Sequence, residues 1–288
     1  MKASSKFVGW FFLLLLATLL LIRLLRQGIY SDSLGMNIAV FGQDSVGLLM
    51  LRPEEDVIGW VKFPDDLGVK IYNSEARYPL ISLWHYGVLE KNPFEIAEKT
   101  LGLAMGVSIS RTVKVDGPAS VEEVLANLHR WNLKTDLSLK DRFLIRKLLV
   151  EAVASRKVLE MDMPQKIFDQ TEEPDGKKTL SFNSVASLWT KNKFVLESIL
   201  SENVDLTVNN LTGQSGLGTQ VARQLESAGM RVVEVKSELG EVVPGKGCYF
   251  MITGNYPYTE SLLTNQMNCK KINNAKEGSG KGITVLIK

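Results

Sequence analysis

The stretch LTVNNLTGQSGLGTQVARQLESAGMRVVEV, residues 206–235, carries a strand, a glycine-rich turn, a helix and a second strand in one run. Val204, Leu206 and Val208 alternate with polar residues at the period of a half-buried strand. The turn over residues 209–218 is rich in Asn and Gly, which tolerate positive φ. Val221, Ala222, Leu225 and Ala228 then recur at helical spacing, and Gly229 stands at a helix C-cap position. Met230 to Val235 is short and β-branched, so the run predicts a βαβ-like unit.

A glycine-rich turn before a helix invites a phosphate-binding reading, because helix N-terminal N–H groups attract anions. The spacing argues against it. The glycines fall at Gly213, Gly216 and Gly218, which is not the dinucleotide pattern, and no Lys-Ser/Thr pair follows as in a P-loop. The turn reads as structural.

Outward from this unit, the chain has 288 residues, 45% of them hydrophobic, and a net charge of +2, which suits one or two globular domains. No basic stripe or nucleic-acid motif is present, so nucleic acid is not expected as a partner. The N-terminus differs from the rest. An apolar run begins at Phe7 and reaches Ile22, or Leu25 if Arg23 snorkels, which is the lower edge of a bilayer-spanning length. A signal peptide is the rival. Since no small-x-small cleavage site precedes Arg23, a retained anchor is favoured. Cations flank the run on both sides (Lys2, Lys6, Arg23, Arg26), so charge does not set its orientation. The two cysteines, Cys248 and Cys269, suit a disulfide in an oxidising exterior, although two buried thiols would read alike.

Between these ends, strands are expected over residues 36–41, 57–63, 111–115 and 157–161. Helices are expected from Asn92-Pro93 to Gly102, from Ser120 (boxed with Glu123) through Trp131, over residues 139–154, and over 184–200 with Asn183 as cap. Pro174-Asp175-Gly176 predicts a hairpin turn. Alternating strands and helices predict a layered α/β fold.

Two segments resemble a known family. Residues 208–213 (VNNLTG), 215–218 (SGLG) and 228–235 (AGMRVVEV) are similar to the C-terminal domain of LytR-CpsA-Psr cell-envelope proteins, a resemblance extending over residues 204–288. Upstream, Gly42-Gln43-Asp44-Ser45, Leu49-Met50-Leu51, Phe63-Pro64-Asp65-Asp66, Trp84-His85-Tyr86-Gly87 and Thr100-Leu101-Gly102 resemble a shortened catalytic domain of the same family. The expected architecture is therefore an N-terminal transmembrane helix with a juxtamembrane segment (residues 1–35), a layered α/β domain of that type (36–203), and a small α/β C-terminal domain (204–288).

The resemblance implies transfer of a glycan phosphate from a polyprenyl pyrophosphate to the cell wall. Such a site needs arginines around the pyrophosphate and aspartates holding magnesium. Here Asp44 alone matches an acidic site position, Val46 stands where an arginine is expected, and Asp65 replaces the arginine of the family's I-P-R-D segment. The charged cradle is missing from the motifs. The expectation is thus a non-catalytic binding or scaffolding factor, single-pass in the cell membrane with its bulk extracytoplasmic, with cell-wall glycan or polyprenyl lipid as possible partners and no cofactor. The alternative is an active transferase with a rearranged site drawn from Asp44, Asp66, Arg77 and Arg142, in which Asp44 would hold magnesium. Trp84 and Tyr86 are candidates for stacking on sugar or lipid. His85, placed on a loop, and His129, placed on a helix, lack companions for a metal or triad.

Overall fold

In the computed structural model, residues 9–16, 18–19, 28–172, 176, 178–237, 245–272 and 282–288 are described. An antiparallel meander of β1 (Met36–Phe41), β2 (Val46–Arg52) and β3 (Val57–Lys62) forms the centre of the first sheet. The chain continues through the hairpin β4 (Gly68–Lys70) and β5 (Arg77–Pro79), then helices α1 (Leu83–Leu89) and α2 (Pro93–Met105). Strand β6 (Arg111–Lys114) joins β1 in parallel and is followed by α3 (Val121–Asn127) and β7 (Lys134–Thr135). Helix α4 (Leu139–Ala154) leads to β8 (Val158–Glu160), parallel to β3. The sheet order is β7-β6-β1-β2-β3-β8.

Every residue of β1 and β2 is buried, because the sheet is covered on both faces. Ala39, Phe41, Leu48 and Met50 pack with Leu83 of α1 and Ala97 and Leu101 of α2. Their neighbours Ile38, Val40, Leu49 and Leu51 point the other way, against Val121 and Val124 of α3 and Ile145 and Leu149 of α4. Strand alternation thus feeds two separate cores.

The remaining chain forms the hairpin β9 (Phe168–Glu172) and β10 (Lys178–Phe182), then α5 (Ala186–Lys193) and α6 (Glu197–Glu202). Strand β11 (Asp205–Asn210), α7 (Leu217–Ser227) and β12 (Arg231–Ser237) build the expected βαβ unit, with the two strands paired in parallel. Strand β13 (Cys248–Thr253), α8 (Pro257–Ser261) with its π-helical extension Leu262–Gln266, β14 (Lys270–Lys271) and β15 (Gly282–Ile287) complete a second sheet, ordered β12-β11-β15-β13-β14. Cys248 and Cys269 are bonded to each other, tying β13 to the residue before its parallel neighbour β14.

The domains are locked by buried polar groups. Gln266 receives a hydrogen bond from Ser110 Oγ at 2.8 Å and donates to Gly35 O at 2.8 Å. Leu34, from the segment before β1, sits in the second domain's core with Leu196 and Ile199. The Glu202 carboxylate closes the start of α8 by accepting from Tyr258 N and Thr259 N at 2.7 and 2.8 Å.

Several expectations need correction. β2 was not foreseen: its run VGLLMLR has no alternation because both of its faces are buried. The expected helix end at Gly102 is instead helix interior, since α2 runs to Met105 and caps at Gly106. Gly102 serves packing: a Cβ there would meet Gln224 Nε2 at 2.8 Å and Val107 O at 2.9 Å. Residues 84–87 lie in α1 rather than on a loop, and α3 stops at Asn127, which leaves His129 in a turn and Trp131 85% exposed. The single helix expected over residues 184–200 is two, interrupted where Phe194 is buried and Leu196 N bonds Ala228 O at 3.1 Å.

Among the described residues no helix is long and apolar enough to cross a membrane. Of the expected anchor, residues 9–16 and 18–19 are described, are helical and expose Trp10, Phe11 and Phe12; the rest of it lies outside the described residues. Of the expected turn at residues 174–176, only Gly176 is described, between the paired strands β9 and β10.

Candidate functional site

β1, β3, β6 and β8 run the same way, so their carboxyl ends share one edge of the first sheet, where α/β sheets commonly place ligands. The β1–β2 turn, residues 42–45, lies there. It closes through Gly42 N to Ser45 O at 2.8 Å and is fastened to the loop after β6 by Gln43 N to Gly117 O and Ala119 N to Ser45 Oγ, both 2.8 Å. Lys114, the last residue of β6, donates its ammonium to Gly42 O at 2.7 Å and Val115 O at 3.0 Å. Burial pushes the Lys114 ammonium below its ordinary range, while Asp116 and Asp44 oppose that shift and Lys134 adds to it. Asp44 is exposed at the tip of this turn.

Asp65 and Asp66 are exposed just past β3, and Asp66 O accepts a hydrogen bond from Leu180 N of β10 at 3.0 Å. The hairpin register pairs Gly68 with Pro79 and Lys70 with Arg77, so exposed Arg77 lies at the end of that hairpin away from Asp66. Arg142 belongs to neither group. It is 8% exposed on α4, on the other face of the sheet, where Nε donates to Leu128 O at 2.8 Å and a terminal nitrogen to Arg130 O. Those carbonyls end α3, so Arg142 acts as a C-terminal cap. The structure therefore spreads Asp44, Asp66, Arg77 and Arg142 over separate places.

Trp84 is core rather than surface: it is 8% exposed and packs against Phe41 and edge-on to Phe94, with ring centres 5.9 and 5.4 Å away. Tyr86 is half-buried and stacks beside exposed Tyr78 at 5.1 Å. No group of three or more His, Cys, Asp or Glu side chains able to hold a metal occurs among the described residues.

The glycine-rich loop between β11 and α7 is organised from within. Asn210, 3% exposed, donates to Gln214 O at 2.8 Å and accepts from Thr212 N and Thr212 Oγ1 at 3.1 and 2.7 Å. Gln214 N bonds Thr212 Oγ1 at 3.0 Å, and Gly216 takes φ 80° at the helix start. Thr212 N and Gln214 N are thus bonded within the loop, which gives this turn its own internal structure.

A half-buried carboxyl cluster went unseen in the sequence. Glu98 of α2 approaches Asp136 and Arg111, which form an ion pair at 3.5 Å, and Asp136 accepts from Thr112 N at 2.8 Å. Burial, and next the charge of Asp136, hold the Glu98 carboxyl well above the ordinary carboxylate range. Its three members come from α2, β6 and the end of β7, and no local motif joins them.

The fold is thus a mixed α/β sheet domain, helix-covered on both faces, joined to a smaller α/β domain. No family model matches the sequence, and no curated protein matches it. Among solved structures, it is similar to TagT of Bacillus subtilis at 13% identity and TM-score 0.40, over 54% of this chain and 86% of that one. The LytR-CPS2A-Psr family protein YwtF (TagT) with bound octaprenyl pyrophosphate lipid gives 14% identity and TM-score 0.39, over 55% and 88%. A protein from Enterococcus faecalis described as a transcriptional regulator gives 10% and 0.43, over 69% and 90%. The family that the sequence motifs resemble is also represented among the solved structures that the chain resembles.

Proposed function

We propose that this chain is a membrane-anchored, extracytoplasmic cell-envelope protein that binds or scaffolds during assembly of cell wall or surface glycopolymer, without catalysing transfer. One observation carries the reading. Two of the cations, Lys114 and Arg142, are committed to backbone carbonyls, Lys114 to Gly42 O and Val115 O and Arg142 to Leu128 O, and the exposed loops at the sheet edge present Asp44, Asp65 and Asp66 beside the exposed Lys62. A pyrophosphate needs free, convergent donors, and facing carboxylates repel it. The apolar run over residues 7–25 supports the anchor. The bond between Cys248 and Cys269 supports an oxidising exterior.

The ligand class proposed is cell-wall glycan or polyprenyl lipid, taken up by the ectodomain. The full chain, extracted in mild detergent, is expected to sediment with isolated cell-wall material or to carry a polyprenyl lipid detectable by mass spectrometry. Absence of both would sink the binding reading.

A further inference from the structure

The outer face of α4 is built against the usual pattern. Asp141, Arg142, Ile145, Leu149 and Ala152 face inward, as a core-covering helix requires. The opposite face should be polar, yet it exposes Leu139 (39%), Phe143 (71%), Val150 (44%) and Val153 (36%) at spacings that share one side of a helix. Exposed Arg146 lies within this stripe and exposed Lys147 beside it, against the single acid Glu151, and Trp131 stands 85% exposed in the turn between α3 and β7. An apolar stripe that carries cations, with an exposed tryptophan, is the composition of a surface that lies in a lipid interface.

A second, independent observation says what covers it. Asp141, in the first turn of α4 and fully buried, accepts hydrogen bonds from Ile29 N at 3.2 Å and Tyr30 N at 2.9 Å. Gly28 packs so closely there that a Cβ would meet Asp141 Oδ1 and Lys140 Cδ, each at 2.8 Å. The chain is thereby fastened to the start of α4 three residues after Leu25, where the apolar run ends. At about 3.3–3.6 Å per residue, that leash is at most roughly 10 Å long. A helix so tethered cannot stand far from the bilayer.

From the stripe and the leash together, we infer that the outer face of α4, with Trp131, docks on the anionic lipid surface beside the anchor and holds the ectodomain against the membrane. This rests on the anchor reading above. Phe143 and Trp131 enter the headgroup boundary, and Arg146 and Lys147 meet lipid phosphates. Asp141 is a positioning residue: it fixes the angle at which the chain leaves the membrane.

The test uses the full chain in vesicles of phosphatidylglycerol and phosphatidylethanolamine. Both native cysteines are bonded and no free cysteine is present, so a single added cysteine can be spin-labelled selectively. Labels are placed at Phe143→Cys and Trp131→Cys, at Leu188→Cys on α5 as an exposed control, and at Leu14→Cys within the anchor. Expected is a several-fold rise in oxygen accessibility relative to a water-soluble nickel chelate at the first two positions over Leu188→Cys, weakened when Arg146 and Lys147 are both changed to Glu. If Leu14→Cys reports lipid while Phe143→Cys and Trp131→Cys report water, the docking inference falls and the anchor stands. If Leu14→Cys also reports water, both fall. Strong dipolar coupling between Phe143→Cys labels would show that a second copy covers the stripe, and would likewise overturn the lipid assignment.

Discussion

Two turns that follow parallel strands, residues 42–45 after β1 and residues 211–216 after β11, reach similar ends by opposite means. In the second, Asn210 and Thr212 close the loop from inside, over a separation of four residues or fewer. In the first, the fastening comes from Lys114, Gly117 and Ala119, more than seventy residues away in sequence. Both use backbone N–H groups, Gly42 and Gln43 in the first and Thr212 and Gln214 in the second, to hold the turn to the protein itself. The difference teaches where a sequence can be read. Local closure leaves a motif, and distant closure leaves only an isolated serine or lysine.

The largest expected effect tests the non-local side. Burial and the charge of Asp136 raise the Glu98 carboxyl in the folded protein, while the unfolded chain ionises it above its ordinary value near 4.5. The native state therefore holds the extra proton, and its stability falls as pH rises from that value toward the raised one. Glu98→Gln should remove a slope of up to about 1.4 kcal/mol per pH unit, gaining on the wild type at pH 8 and losing that advantage near pH 4. Urea unfolding across this range checks it, and parallel curves for the two proteins would contradict it. Next, Asn210→Ala should cost about 2 kcal/mol, since it strips a buried side chain of three hydrogen bonds and leaves their partners to water or to nothing. Ser45→Ala removes one bond, to Ala119 N, and should cost about 1 kcal/mol in the same experiment. A loss at Ser45 as large as at Asn210 would erase the contrast between the two turns. Smallest of all, Asp44→Ala should move stability by no more than about 0.5 kcal/mol, because the side chain is exposed at a turn tip.

The same division explains what the sequence revealed of the fold. The βαβ unit of residues 205–237 and α4 were readable because alternation, helical spacing and cap residues are local signals. Strand β2 was hidden by burial on both faces, and His85, expected on a loop, lies in the short helix α1. Of the candidate site residues, the exposed positions of Asp44, Asp66 and Arg77 fit surface loops and a hairpin, whereas Trp84 proved to be core and Arg142 a cap for α3. Neither fate can be read from spacing, since each depends on an element far along the chain. Asp65 was informative for a different reason: the sign of its charge is visible in one letter, and its exposed place past β3 gives that sign a location.

On the proposed function, the exposed edge of the first sheet does not hold a complete charged cradle for a pyrophosphate. The most direct measurement supplies the full chain, reconstituted in lipid, with a polyprenyl pyrophosphate-linked glycan, cell-wall acceptor and magnesium, and follows glycan transfer and pyrophosphate hydrolysis. No turnover above a protein-free control is predicted. Magnesium-dependent transfer that disappears in Asp44→Ala, with the fold intact by thermal unfolding, would contradict it.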